Sequence, residues 1–317
     1  MAITTGSNTA FIEAQIQSDF ILRVLHDGLL PAPFYRNVSD FVHGTQIRIP
    51  TIGEAVIQEM SENTPPVYNA IETGFVTLSM TDSVGDAYFI TQNMREDGTN
   101  IEALLQARAM ESVRAIQEYN ETRGLAVLNA AQTASNLNSI NGHAHRFVAA
   151  DTNDCMGLVD LQRMKLSFDK AQVPYANRVG IITPTSAAAL LQEVNATFPV
   201  NSNPTMQAIL EGGFSRDHEF VMNIAGWHLI TSNRLPAGIT ETINSDTVTL
   251  GDANIFMCIA DDNTKPLMQA WRRMPQVESK RNMELDRDDF VTRLRFGLGV
   301  QRVDTLGVIL THPTNIT

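Results

Sequence analysis

The sequence predicts an α+β chain: a long β-hairpin and a long helix come first, an α/β lobe follows, and long strands return near the end. Three observations carry this. Gln46 to Glu59 and Phe75 to Thr91 alternate apolar and polar residues on either side of a proline-rich turn. Thr99-Asn-Ile-Glu102 forms a capping box ahead of one apolar stripe. Phe290, Thr292, Leu294, Phe296, Leu298 and Val300 alternate with Arg293, Arg295 and Gln301, the mark of a half-buried strand late in the chain.

In chain order, Phe11, Ile12, Ile16, Phe20, Val24 and Leu25 recur near helical spacing and stop at Pro31 and Pro33. They predict an amphipathic helix followed by an extended arm through Phe34, Tyr35, Val38 and Phe41. The hairpin comes next, with Ser61 to Pro66 as its turn; at 3.3 Å per residue each side of roughly 15 residues reaches about 50 Å. A hairpin of that length outruns its own domain, and open strand edges invite pairing with another chain. Ile101, Leu104, Leu105, Val113, Ile116 and Tyr119 then mark a helix of about 28 residues, roughly 42 Å long. Its other face spaces Arg108, Glu111, Arg114, Glu118 and Glu121 for ion pairs. Beyond the polar stretch Ala130 to Asp154, the α/β lobe reads as a helix near Met156 to Ala171, a strand Arg178 to Ile182 and a helix Ser186 to Val194. Two further strands follow, Trp227 to Ser232 and Ile255 to Ala260.

Composition bounds the function. The 317 residues are 43% hydrophobic and 18% charged, enough for a packed core and unlike a disordered chain. A net charge of -12 argues against a protein whose main task is gripping phosphates. Cys155 and Cys258 read as small buried hydrophobes. No basic segment leads into an apolar one at the N-terminus, and no run of about 18 apolar residues appears, so neither export nor membrane spanning is signalled.

Groups that could carry chemistry have simpler readings. His143-Ala-His145 with Asp151, Asp154 and Cys155 offers zinc-ligand types, but in no structural zinc spacing. Ser186 and Ser215 lack a nucleophile elbow, and Gly212-Gly213 precedes no Lys-Ser/Thr. Asp261-Asp262 and Asp288-Asp289 fit solvated turns, and Met94, Met110, Met164, Met222 and Met257 fit core fillers. No catalytic, cofactor or metal residue is expected.

The order helix, arm, hairpin, long helix, α/β lobe and returning strands resembles the Hong Kong ninety-seven fold of tailed-bacteriophage major capsid proteins, shared with encapsulin compartments. Gly44-Thr-Gln-Ile-Arg-Ile-Pro-Thr-Ile-Gly53, Asn177-Arg-Val-Gly-Ile-Ile-Thr-Pro184 and Ile224-Ala-Gly-Trp-His-Leu-Ile-Thr-Ser-Asn-Arg-Leu-Pro236 carry local likeness. The resemblance implies an arm over 1–45, an extended loop over 46–94, a peripheral domain with its spine helix over 95–134 and 266–317, and an axial domain over 135–265. It implies a non-catalytic coat protein that assembles with itself as pentamers and hexamers in the host bacterial cytoplasm and encloses dsDNA in the virion. Since no long helical prefix precedes the arm, the resemblance implies a separate scaffolding protein; a portal and an added cement protein are the other implied partners. Relatives that weld their shells use a lysine in the extended loop. The only lysines here are Lys165, Lys170, Lys265 and Lys280, so that cross-link is chemically closed.

The hairpin carries Glu54, Glu59, Glu62, Glu72, Asp82 and Asp86 against Arg48 alone, whereas the late strands hold Arg272, Arg273, Lys280, Arg281, Arg287, Arg293, Arg295 and Arg302. Glu54, Glu59, Glu62 and Glu72 of one subunit are therefore expected to meet Arg272, Arg273, Arg293 and Arg295 of its neighbour. Solvated faces are the simpler account of the same charges. An encapsulin-type shell around a cargo enzyme and an α/β enzyme with a pocket in the 135–265 lobe are the competing functions.

Overall fold

The computed structural model describes residues 34–38, 44–97 apart from 54, 56, 61, 64 and 66, 101–197 apart from 152, and 220–312. The expected N-terminal helix, Phe41, Glu54, the Thr99 capping box, Gly212-Gly213 and Ser215 lie outside the described residues. The strands are β1 Tyr35–Asn37, β2 Gln46–Ile52, β3 Thr73–Ser79, β4 Asp82–Thr91, β5 Arg146–Val148, β6 Arg178–Ile182 and β7 Phe220–Ile224. They continue as β8 Trp227–Thr231, β9 Ile239–Ile243, β10 Asp246–Cys258, β11 Leu267–Asn282, β12 Arg287–Val300 and β13 Leu306–Thr311. The helices are α1 Gln92–Asp97, α2 Ile101–Ala130, α3 Leu158–Lys170 and α4 Pro184–Thr197.

Alternation builds the first sheet. Phe290, Thr292, Leu294, Phe296 and Leu298 of β12 are buried, while Arg293 is exposed and Arg295 half-buried, so one face is apolar and the other open. The sheet runs β1-β11-β12-β4, parallel only between β1 and β11. Its apolar face shares a core with α2, whose buried Ala109, Val113, Ile116, Leu125 and Leu128 keep helical spacing. The same core takes in Val179 and Ile181 of β6 and Ile255 and Met257 of β10, so α2 joins two sheets. Ion pairs Arg114–Glu111 at 2.9 Å and Arg114–Glu118 at 3.9 Å line its outer face.

The second sheet is ordered β5-β13-β10-β6-β8-β7, with β9 paired to β10. Trp227 centres its core against α3: the ring meets Phe168 at 4.9 Å and Phe256 at 5.0 Å, both edge to face, and its Nε1–H donates to Leu161 O at 3.3 Å. Gly180 of β6 is required there, because an added Cβ would lie 2.7 Å from the Phe256 ring and 2.8 Å from Leu229.

Several expectations change. The single strand expected over 75–91 is two strands: β3 pairs with β2, and after Met80-Thr81 β4 pairs with β12. The crossover packs tightly against β12, where a Cβ on Gly297 would lie 2.5 Å from Ser79 O. The first hairpin strand, expected through Glu59, ends at Ile52. The expected strand 255–260 is the end of a longer β10 that forms a hairpin with β9 through Asn244 and Ser245, both at positive φ. Strand β13, within the stretch 266–317 grouped above with the long helix, is hydrogen-bonded instead to β10 and β5 in the second sheet. Met164 and Met257 fill the core as expected, but Met94 and Met110 are exposed.

Candidate assembly surfaces

The hairpin is built on an antiparallel ladder running from the Gln46–Ser79 pair to the Ile52–Thr73 pair. The same register continues beyond it. Gly53 N–H donates to Glu72 O at 2.8 Å, and the Gln58 side chain bridges Val67, donating to its carbonyl at 2.7 Å and accepting its N–H at 3.1 Å. The turn falls at Glu62 and Asn63, where Asn63 takes φ 65°. Only the root is anchored: Ile47, Ile49 and Val76 pack against a cluster of Leu78, Met80, Met268 and Ala270.

The outer part presents apolar side chains to solvent. Ile57 is 94% exposed and Tyr68 90%, and Ile52, Met60, Val67, Ile71 and Phe75 are mostly exposed too. Glu59, Glu62 and Glu72 are exposed among them and have no ion-pair partner among the described residues. Burying such side chains is worth roughly 1.5–3 kcal/mol each, so a surface that covered them all would gain on the order of 10 kcal/mol before the costs of association.

The second surface is the open face of the four-stranded sheet. Register places Arg273 opposite Arg295 and Gln276 opposite Arg293 across β11 and β12, with Ser83 and Gly85 of β4 next in line. Ser83 and Gly85 therefore place little side chain beside Arg295 and Arg293. Arg293 faces Glu278 at 3.8 Å, Arg287 pairs with Asp289 at 2.8 Å, and Arg281 pairs with Asp286 at 2.5 Å and Asp288 at 3.3 Å. Arg272 donates to Gly44 O at the hairpin root. The structure therefore separates the four arginines singled out by charge. Arg272 and Arg293 are engaged within their own chain, whereas Arg273 and Arg295 have no ion-pair partner among the described residues. Among the described residues of one chain, Glu59, Glu62 and Glu72 are not paired with these arginines. The exposed apolar tip was missed by reading charge alone, although its β-branched alternation was visible.

The groups weighed for chemistry are held in structural roles. His145 is fully buried, its ring 5.5 Å from Phe168 and its Nδ1 2.8 Å from Asn138 O. No three His, Cys, Asp or Glu residues gather into a metal-holding group among the described residues. Ser186 is buried, accepting from the Thr183 hydroxyl at 2.9 Å at the start of α4. Asp262 pairs with Lys265, and Asp288 with Arg95 at 2.7 Å. A cavity of about 560 Å³ in the lobe is lined by Cys155, Asp160 and Glu193. Two of its carboxylates are occupied by backbone: Asp160 accepts N–H groups from Gly157 at 2.9 Å and Ala150 at 3.0 Å, and Glu193 accepts that of Leu158 at 2.7 Å. Burial pushes the Asp160 carboxyl above the usual range, against the pull of those two donors.

Burial likewise holds His145 below the ordinary histidine range, opposed by its hydrogen bond to Asn138. The folded state then binds the proton less readily than the unfolded state, whose histidine titrates near 6.5. The stability this site contributes is complete above that range and falls as pH drops through it toward the folded value. Thermal melts should show a lower Tm at about pH 5.5 than at pH 7.5, with a shallower fall in His145→Gln. An equal fall in both proteins would place the sensitivity elsewhere.

Comparison with known proteins agrees with this architecture. A family model described as phage capsid protein matches residues 76–311. No curated protein sequence matches the chain. Among solved structures, the capsid of the cyanophage P-SCSP1u is similar at 16% identity, covering 89% of this chain and 86% of that one with a TM-score of 0.62. The capsid of Ralstonia phage GP4 is 8% identical over 90% of this chain and 88% of that one, TM-score 0.63. The holo-SrpI encapsulin complex from Synechococcus elongatus is 12% identical, covering 92% of this chain and 86% of that one, TM-score 0.56. At these identities the likeness is one of fold, and it is the Hong Kong ninety-seven fold expected from the element order. With the family model spanning both sheets and α2, the chain belongs to the phage capsid protein family, as a major capsid protein of the virion.

Proposed function

We propose that the chain is a non-catalytic tile of a tailed-bacteriophage head, assembling as pentamers and hexamers in the host cytoplasm into an icosahedral shell around dsDNA. The observation that carries this reading is the hairpin tip, which exposes Ile57, Tyr68 and their neighbours to solvent and packs only its root against its own chain. The hairpin within residues 46–94 serves as the extended loop, with β4 at its end joining the peripheral domain of 95–134 and the late strands β11 and β12, and 135–265 together with β13 make the axial domain. Glu54, Glu59, Glu62 and Glu72 of one subunit set register against the basic strand face of the next, the face that carries Arg272, Arg273, Arg293 and Arg295. With no lysine in the hairpin, cohesion is noncovalent or reinforced by a cement protein. A separate scaffolding protein and a portal complete the set. The acidic balance keeps contact with packaged DNA weak.

Negative-stain electron microscopy of the purified protein, alone and with a scaffolding candidate, tests the reading. Closed shells or tubes are expected, and nucleic acid rather than a cargo enzyme inside shells from infected cells separates a phage head from an encapsulin-type compartment. A protein that stays a monomer or small oligomer under every condition contradicts it.

A further inference from the structure

Once ion pairs are assigned, Arg273, Lys280 and Arg295 of strands β11 and β12 remain without an ion-pair partner among the described residues, and while Lys280 stands opposite Asp289 in the register, the two arginines stand opposite each other. Arg281, Arg287 and Arg293 each have a carboxylate partner in their own chain, and Arg272 is spent on the Gly44 carbonyl. Arg273 and Arg295 are direct cross-strand partners, so their side chains leave the same face of the sheet. Neither has an ion-pair partner among the described residues. Like charges placed directly opposite one another destabilise a strand pair, and the neighbours do not relieve this one: Ser83 lies beside Arg295 and carries no charge. The ladder shifts on both sides of Arg273, between Trp271 and Arg273 and again before Gln276. Such irregularities re-aim a side chain. The register thus sets two arginines opposite one another on the outer face of the sheet, at a cost to the chain's own stability.

A carboxylate offsets that cost better than any other group in a protein, because its two oxygens accept from both guanidinium forks. Exposed acids without an ion-pair partner among the described residues, next to apolar side chains that need cover, include Glu284 in the β11–β12 turn and, grouped on the hairpin, Glu59, Glu62 and Glu72. Unpaired bases on one surface and unpaired acids on another are complementary only between copies.

We propose that Arg273 and Arg295 form a clip for a carboxylate, supplied by a hairpin glutamate of a second copy of the chain. The proposal rests on the shell reading and names where on the sheet the acidic hairpin is recognised. The clip is a checkpoint as well as a contact. An apolar surface alone would accept any apolar partner, whereas two opposed arginines reject a neutral or basic one and admit an acidic one. Arg272, by contrast, fixes the root of the hairpin within its own subunit, so reversing it disturbs the hairpin itself.

The test exploits the opposite signs of the effect on folding and on assembly. Arg273→Glu gives Arg295 an in-chain partner, so its Tm should equal or exceed that of wild type while shell yield, read by sedimentation and electron microscopy, falls by about tenfold or more. Arg273→Gln, which removes the repulsion without adding an acid, should fall between the two in yield. Reversing the hairpin acids in the same chain, as Glu59→Lys, Glu62→Lys and Glu72→Lys together with Arg273→Glu and Arg295→Glu, should restore shells. Wild-type shells accompanied by equally abundant Arg273→Glu shells overturn the clip and leave the shell reading standing. Loss without rescue overturns the hairpin as the source of the carboxylate, and a wild type that never forms shells overturns the shell reading together with the clip.

Discussion

A chain in which residues 52–73 are replaced by a two-residue Asn-Gly turn is expected to fold as well as wild type and to form no shells. The register makes the replacement stereochemically simple, because Thr51 and Gly74 are a hydrogen-bonded pair of the ladder, one repeat before the Gly53–Glu72 bond, and a type I′ turn joins such a pair directly. Nothing in the cores is removed: the anchored residues Ile47, Ile49, Val76 and Leu78 all lie on the retained side. What is lost is exposed Ile52, Ile57, Met60, Val67, Tyr68 and Ile71 together with Glu59, Glu62 and Glu72. Closing the shorter loop also costs slightly less chain entropy. Circular dichroism and a melting curve should therefore match wild type, while sedimentation shows only small species. Normal shells from the shortened chain would mean that the tip is not part of the assembly surface.

The largest effect on folding is expected at Trp227. Its side chain is fully buried between Phe168 and Phe256, and its indole N–H serves the Leu161 carbonyl within α3. Trp227→Ala removes both rings' partner and leaves a cavity, for a cost of about 3–5 kcal/mol. Against a total stability of roughly 5–15 kcal/mol, that is enough to unfold the lobe under conditions where the wild type is intact. The core shared by α2 and β12 has its own aromatic residues, Phe290 and Phe296, and contains none of Trp227's partners. That core also holds Val179, Ile181, Ile255 and Met257 of the second sheet, so denaturant titration should show the midpoint of the whole transition, α2 helicity included, fall with the lobe. A change below about 1 kcal/mol would show that the site collapses around the missing ring.

The two elements most legible in the sequence are those whose burial follows a simple period. Val113 and Ile116 mark α2, and Phe290 to Leu298 mark β12, because each element packs one face and leaves the other to solvent. Strand β13 was not legible for the opposite reason: every residue of Leu306–Thr311 is buried, so no alternation announces it. The break between β3 and β4 was hidden because alternation continues through Ser79 to Asp82 while the hydrogen-bonding partner changes, and only Gly297 on a distant strand makes room for the crossing. The hairpin between β9 and β10 is signalled only by Asn244-Ser245 between strands of threonine and acidic residues. In the candidate site, the segregation of acids and bases along the chain was plain from the residues. Which arginines remain unpaired was not, because it depends on the shifted register around Arg273.

The most direct test of the central claim is a cryo-electron microscopy reconstruction of the assembled shell at a resolution that traces side chains. The account predicts that residues 53–72 of each subunit lie across strands β11 and β12 of a neighbour, with the apolar side chains of the tip covered and a hairpin glutamate between Arg273 and Arg295. A hairpin folded back onto its own subunit, or standing free of any neighbour with those arginines still open to solvent, would contradict it.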